Sequence, residues 1–135
     1  MSQRRVFTAM TALALLATLL SCSFSVSTAN IDDAWLAADE AGSQRTTTFA
    51  QDAIFYAIVT LANAPDDTKV RAAWTAVEAE GADPNTFIDE TEIQTGDGDV
   101  TFQLENDNLW PVGHYKVDIY LNDELDRTLE FDVQP

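Results

Sequence analysis

Tyr115-Lys116-Val117-Asp118-Ile119-Tyr120-Leu121-Asn122-Asp123-Glu124-Leu125-Asp126-Arg127-Thr128-Leu129-Glu130-Phe131-Asp132-Val133 decides the fold class. Tyr115, Val117, Ile119 and Leu121 fall on one face of an extended chain, and Lys116, Asp118, Tyr120 and Asn122 on the other. After Asn122-Asp123-Glu124 the alternation resumes, with Leu125, Leu129, Phe131 and Val133 set against Asp126, Thr128, Glu130 and Asp132. A period of two, broken once by turn residues, predicts an antiparallel hairpin with one buried and one wet face. Arg127 interrupts the inner set, so it is expected at a sheet edge, snorkelling or paired with an acid. Asn122 tolerates a positive φ, whereas Asp123 stands where a tight turn prefers Gly, which predicts a slightly longer loop.

Working upstream, Val100 to Leu104 alternates and follows the turn-forming Thr95-Gly96-Asp97-Gly98-Asp99, so a strand is expected there. Ala53 to Leu61 is aromatic and β-branched between two polar turns and reads as a buried strand. Thr86 to Thr95, with Phe87 and Ile93, is a weaker strand candidate, and Ala34 to Asp39 a first strand before the polar loop Glu40 to Thr46. Residues 68–81 satisfy two templates. Asp67 or Thr68 as cap, a stripe of Val70, Trp74 and Val77, and Gly81 as stop describe a helix, favoured locally by Ala and Glu. Val70, Ala72, Trp74 and Ala76 facing inward describe a strand, which the neighbouring strands favour.

Pro65-x-x-Thr68-x-Val70-x-Ala72-x-Trp74, Trp110-Pro111-x-Gly113-x-Tyr115-x-Val117-x-Ile119-Tyr120-Leu121-Asn122 and Thr128-Leu129-Glu130-Phe131-x-Val133 together resemble the immunoglobulin-like β-sandwich modules of bacterial envelope lipoproteins. The resemblance covers about Ile31 to Val133. It implies an all-β immunoglobulin-like antiparallel β-sandwich, with Trp74 on a strand between two sheets and Pro-x-Gly-x-Tyr turning a corner into a late strand. It implies nothing specific about function, because such sandwiches host many roles.

The beginning of the chain reads as an export signal. Arg4 and Arg5 precede an apolar stretch from Val6 to Leu20, short of the roughly 20 residues of a stable membrane span. Its end, Leu19-Leu20-Ser21-Cys22, resembles the bacterial lipobox. That implies cleavage between Ser21 and Cys22, a diacylglycerol thioether on the Cys22 sulfur and acylation of the new amino group. Several acyl chains anchor firmly, because each buried methylene contributes about 0.8 kcal/mol. The expected organisation is a signal peptide over residues 1–21, acylated Cys22 and a flexible tether over 22–30, and a sandwich domain over 31–135. The protein is expected at the cell envelope, lipid-anchored to the plasma or outer membrane with its domain outside the cytoplasm. Arg4-Arg5-Val6-Phe7 partly resembles a twin-arginine motif, but Gln3 departs from it, so general secretory export is favoured.

Among 135 residues there are 7 basic and 23 acidic side chains, for a net charge of −16. Both leader arginines leave with the signal, so residues 22–135 carry −18. Such a surface repels phosphates, which argues against nucleic acid as a partner, and it keeps a domain soluble in salt. One Cys and one His exclude a disulfide framework and a Cys/His zinc site. His114, next to the inward Tyr115, is expected to point outward as an ordinary histidine. Asp89, Glu90, Glu92, Asp97, Asp99, Glu105 and Asp107 are the only oxygen-rich candidates for calcium, without an EF-hand spacing. Trp74 is expected in the core and Trp110, beside Pro111 in a loop, as a candidate binding surface. No catalytic residue, resident metal or cofactor is indicated. The expectation is a non-enzymatic envelope module that binds a protein or other ligand through loops or sheet edges. The alternative is a small carbohydrate-active or hydrolytic protein using acidic residues, with calcium as an optional cation.

Overall fold

A computed structural model describes residues 27–135; Ser21 and Cys22 lie outside them. Among the described residues eight strands form: β1 (Asn30–Ala37), β2 (Thr48–Ala50), β3 (Phe55–Ala62), β4 (Thr68–Ala79), β5 (Thr86–Thr95), β6 (Gly98–Leu104), β7 (Gly113–Leu121) and β8 (Glu124–Gln134). They make two sheets, one in the order β1-β3-β6 and the other β2-β8-β7-β4-β5. All pairings are antiparallel except β2 with β8. The first part of the chain therefore serves both layers: β1 pairs in the small sheet, and β2 crosses to the large one. Two sheets facing each other, with the edge strand split between them and Trp74 in the middle, make an immunoglobulin-like sandwich.

The strands form where inward positions are apolar. Thr68, Val70, Ala72, Trp74 and Ala76 of β4 are buried, as are Tyr115, Val117, Ile119, Phe131 and Val133 of the terminal hairpin. From the other layer come Phe55, Ala57, Val59, Leu61, Val100, Phe102 and Leu104. Phe55 is the aromatic hub. Its ring stacks on Trp110 at 4.6 Å and meets Phe131 at 4.8 Å, Phe49 at 4.9 Å and Tyr115 at 5.9 Å. Antibody domains brace this region with an inter-sheet disulfide. Here apolar packing alone does so, with Val117 directly across from Trp74 in the register.

The β6–β7 corner is closed by Tyr115, whose hydroxyl donates to the Pro111 carbonyl, the tyrosine-corner arrangement of such sandwiches. Thr68 is an exception to the apolar interior. Its hydroxyl is buried without a partner among the described residues. An unpaired buried hydroxyl costs about 1–3 kcal/mol, so Thr68→Val, which keeps the side-chain shape, is expected to stabilise the domain by about 1 kcal/mol. A rise in the urea midpoint at unchanged m-value checks this; a fall would mean that the hydroxyl is satisfied.

Two local expectations are corrected. The β7–β8 loop is only two residues long, because Leu121 pairs with Glu124, and Asn122 and Asp123 adopt φ of 47° and 70°. Asp123 thus tolerates the left-handed conformation that a primed turn demands, and no longer loop is needed. Leu125 points outward and is 56% exposed. The register slips between Ile119 and Tyr120, leaving Asp126 as the extra residue, and this bulge reverses the phase so that Leu125 lies opposite outward-facing Tyr120. Arg127 stays on the inner set as expected of an edge residue, pairing with Asp126 at 2.7 Å and donating to the Ile31 carbonyl at 3.0 Å. The weaker strand candidate Thr86 to Thr95 forms as β5, an edge strand on which Phe87 is 59% exposed.

Candidate functional site

The crossing from β1 to β2 is what creates a site. Residues 38–47 must leave one sheet and reach the other, and the local sequence fixes how they do so. The Asp39 carboxylate accepts bonds from the Ser43 hydroxyl and the backbone N–H groups of Ser43 and Gln44. These bonds, the Ser43 hydroxyl first, hold the Asp39 carboxyl below its usual range. Gly42 takes φ of 74°, and its carbonyl accepts the Trp35 indole N–H at 2.9 Å. The Arg45 guanidinium lies 4.1 Å over the Trp35 ring and 3.1 Å from Asp33.

Because β2 covers only Asp132 to Gln134, the rest of the outer edge of β8 is left without a strand among the described residues. The outer edge of β1 is similarly open up to Leu36, whose carbonyl accepts the Thr46 N–H. Between these edges runs a groove of about 560 Å³. One wall is Ala34, Trp35 and Leu36, the other Thr128, Leu129 and Glu130, and Arg45, Thr46 and Thr47 close one end. The Arg127 bond to the Ile31 carbonyl bridges the two walls at the other end. Ala34, Leu36 and Leu129 pack on the core as its floor, and Arg45, Thr46, Thr47, Thr128 and Glu130 make the rest of the lining polar, a mixture that suits a ligand with both apolar and hydrogen-bonding groups.

Glu130 connects the groove to the only histidine. His114 Nε2 lies 3.1 Å from Glu130 and Nδ1 2.8 Å from Asp132. Hydrogen bonds accepted by the Asp132 and then the Glu130 carboxylate favour the imidazolium and raise the His114 pKa above its usual value. His114 thus faces outward as expected, but it is tied to two carboxylates of β8, with Glu78 opposite on β4. A raised folded pKa gives stability that is present in full below about pH 6.5 and is lost as the pH rises through the higher folded value. In an NMR titration the His114 ring should titrate above about 6.5, and Asp132→Asn should bring its midpoint down further than Glu130→Gln does. Equal, unshifted midpoints in all three proteins would contradict the clamp.

The candidates from sequence are dispersed. Trp110 is not a binding surface. It is 5% exposed, stacked on Phe55, with its indole N–H donated to the Ala53 carbonyl at 2.9 Å, so the loop folds this aromatic inward. Asp97 accepts the Ala64 N–H and Asp99 the Thr60 hydroxyl, each serving a turn or strand pair. Among the described residues, no three of the acidic and histidine side chains converge as a metal-holding group. The groove residues Trp35, Arg45, Thr128 and Glu130 come from segments far apart in the chain. Their only sequence signal is the polar loop before the second strand, which does not reveal where it lands.

No family model matches this chain. No curated protein matches it either. Solved structures do. An immunoglobulin-like protein from Pseudomonas aeruginosa superposes with a TM-score of 0.55 at 16% identity, covering 82% of this chain and 100% of that one. A β-glucosidase from Listeria innocua, solved with laminaribiose, gives 0.51 at 15% identity over 83% of this chain. A β-glucosidase involved in saponin metabolism from intestinal bacteria gives 0.52 at 15% identity over 82%. This chain spans only 17% of each glucosidase chain. At such identities the likeness shows the fold, and the fold is an immunoglobulin-like β-sandwich.

Proposed function

We propose that this protein is a non-enzymatic, membrane-anchored envelope lipoprotein whose acidic sandwich binds a protein or other ligand in the groove between β1 and β8. The observation that carries the binding reading is the groove itself, with two open strand edges among the described residues and an apolar floor of Ala34, Leu36 and Leu129. The Leu19-x-Ser21-Cys22 pattern supports the anchor, and with it a location at the plasma or outer membrane with the domain outside the cytoplasm. A carbohydrate-active or hydrolytic role needs two close carboxylates in a cleft and a free aromatic face. The groove has one carboxylate, Glu130, and the Trp35 ring is covered by Arg45.

The anchor is tested by intact mass and detergent partitioning of the protein made in its own host. The wild type should carry the mass of acyl chains and enter the detergent phase, while Cys22→Ala stays aqueous and loses that mass. Should both be cleaved and soluble, the anchor reading fails and a secreted binding protein takes its place.

A further inference from the structure

We infer that the groove is a strand-addition site whose occupant is an extended basic peptide of a partner protein, alternating apolar and cationic residues, that pairs with β1 and β8 at once. The inference rests on reading the groove as the binding site. Its first support is backbone polarity. The Asp132 N–H donates to Thr47 at 2.9 Å and therefore points away from β7. By the alternation of an antiparallel ladder, Glu130 and Thr128 also turn their backbone N–H and C=O groups outward, where β2 does not reach. On the facing wall the Leu36 carbonyl points away from β3, toward Thr46, and Ala34, two residues earlier, presents its backbone groups to the same gap. Edge groups left unpaired by the described residues on both sides of one groove are matched by a chain that carries a donor and an acceptor at each residue.

The second support is the distribution of side chains. Ala34, Leu36 and Leu129 pack toward the core and form an apolar floor, so every second residue of an incoming strand should be apolar. The residues between them would face outward with Glu130. Both arginines of the seam are already matched, Arg45 to Asp33 and Arg127 to Asp126. Glu130 is shared with His114, so the selection for charge comes from the domain as a whole: the net −18 of residues 22–135 favours Lys or Arg in the added strand and repels a second copy of this acidic chain. A sugar is a poorer match, since the aromatic face it would stack on lies under the Arg45 guanidinium.

The test uses the full chain and four probes: a Lys-Val-Thr-Val-Lys-Val-Thr peptide, its Glu-for-Lys counterpart, the basic peptide with its backbone nitrogens methylated, and laminaribiose. Amide hydrogen exchange and the Trp35 indole resonance are followed by NMR. The basic peptide should slow exchange at Ala34, Thr128 and Glu130 by more than about tenfold at saturation and shift the Trp35 signal, while the acidic and methylated peptides should do neither. Equal binding of the methylated peptide, or a Trp35 shift without protection of those amides, overturns strand addition while leaving a binding groove. A response to laminaribiose alone overturns the peptide and leaves the groove a sugar site. Silence from all four probes overturns the inference and the groove reading together.

Discussion

Phe55→Ala should lower the stability of the domain by about 3–5 kcal/mol, the range for emptying a large aromatic site, and its melting temperature by about 15 °C or more. The reason is geometric. Phe55 opens β3, is fully buried, and packs against rings of the facing sheet and of the β6–β7 loop, including Phe131 at 4.8 Å and Trp110 at 4.6 Å. The rings that would have to fill the space are themselves held. Trp110 is fixed by its bond to the Ala53 carbonyl and Tyr115 by its bond to Pro111, so the cavity cannot collapse cheaply. Phe87→Ala provides the contrast, because that ring is 59% exposed and should change stability by no more than about 0.5 kcal/mol. Urea denaturation of both variants at matched conditions measures the difference. Equal losses would mean that the aromatic cluster does not hold the sheets together.

Gly113→Ala should be nearly as damaging, at about 3 kcal/mol or more, although it adds a single methyl group. A Cβ at Gly113 would lie 2.1 Å from the Glu78 carbonyl oxygen and 2.5 Å from the Ala79 Cα. Both obstacles are backbone, so relief requires parting β4 from β7. This crowding arises because the register of the two strands shifts between Ala76 and Glu78, which brings the β4 chain over the start of β7 opposite Gly113. Gly81→Ala separates this effect from ordinary glycine strain. Gly81 has φ of 77° but nothing within 4 Å of an added Cβ, so only the left-handed penalty of about 1 kcal/mol applies. The Pro-x-Gly-x-Tyr sequence therefore contains two separate devices. Gly113 permits close approach of a neighbouring strand, and Tyr115 pins the corner that precedes it.

The terminal hairpin, β6 and the buried β3 were legible because their patterns are local. A period of two needs no knowledge of the rest of the chain. The segment 68–81 was not legible in this way, since Ala and Glu favour helix as strongly as Val70 and Trp74 allow strand. The structure makes residues 68–79 a central strand flanked by β5 and β7. Pairing along both edges and burial of Val70, Ala72, Trp74 and Ala76 outweigh helix propensities of a few tenths of a kcal/mol per residue. The likeness to immunoglobulin-like modules had pointed to strand for the same residues.

By itself the sequence determined the all-β class, the alternation that sorts core from surface, the charge of −16, and the Cys22 pattern on which the anchor proposal rests. Tertiary structure alone decided which way Trp110 and Leu125 point, that β2 joins β8 in parallel over only three residues, and that Ala34 and Glu130 face each other across a gap. The physical reason is that burial and periodicity are properties of single segments, whereas a groove exists only where two segments fail to meet. That failure depends on where the loop of residues 38–47 lands and on a one-residue bulge at Asp126, both set by long-range pairing rather than by local propensity.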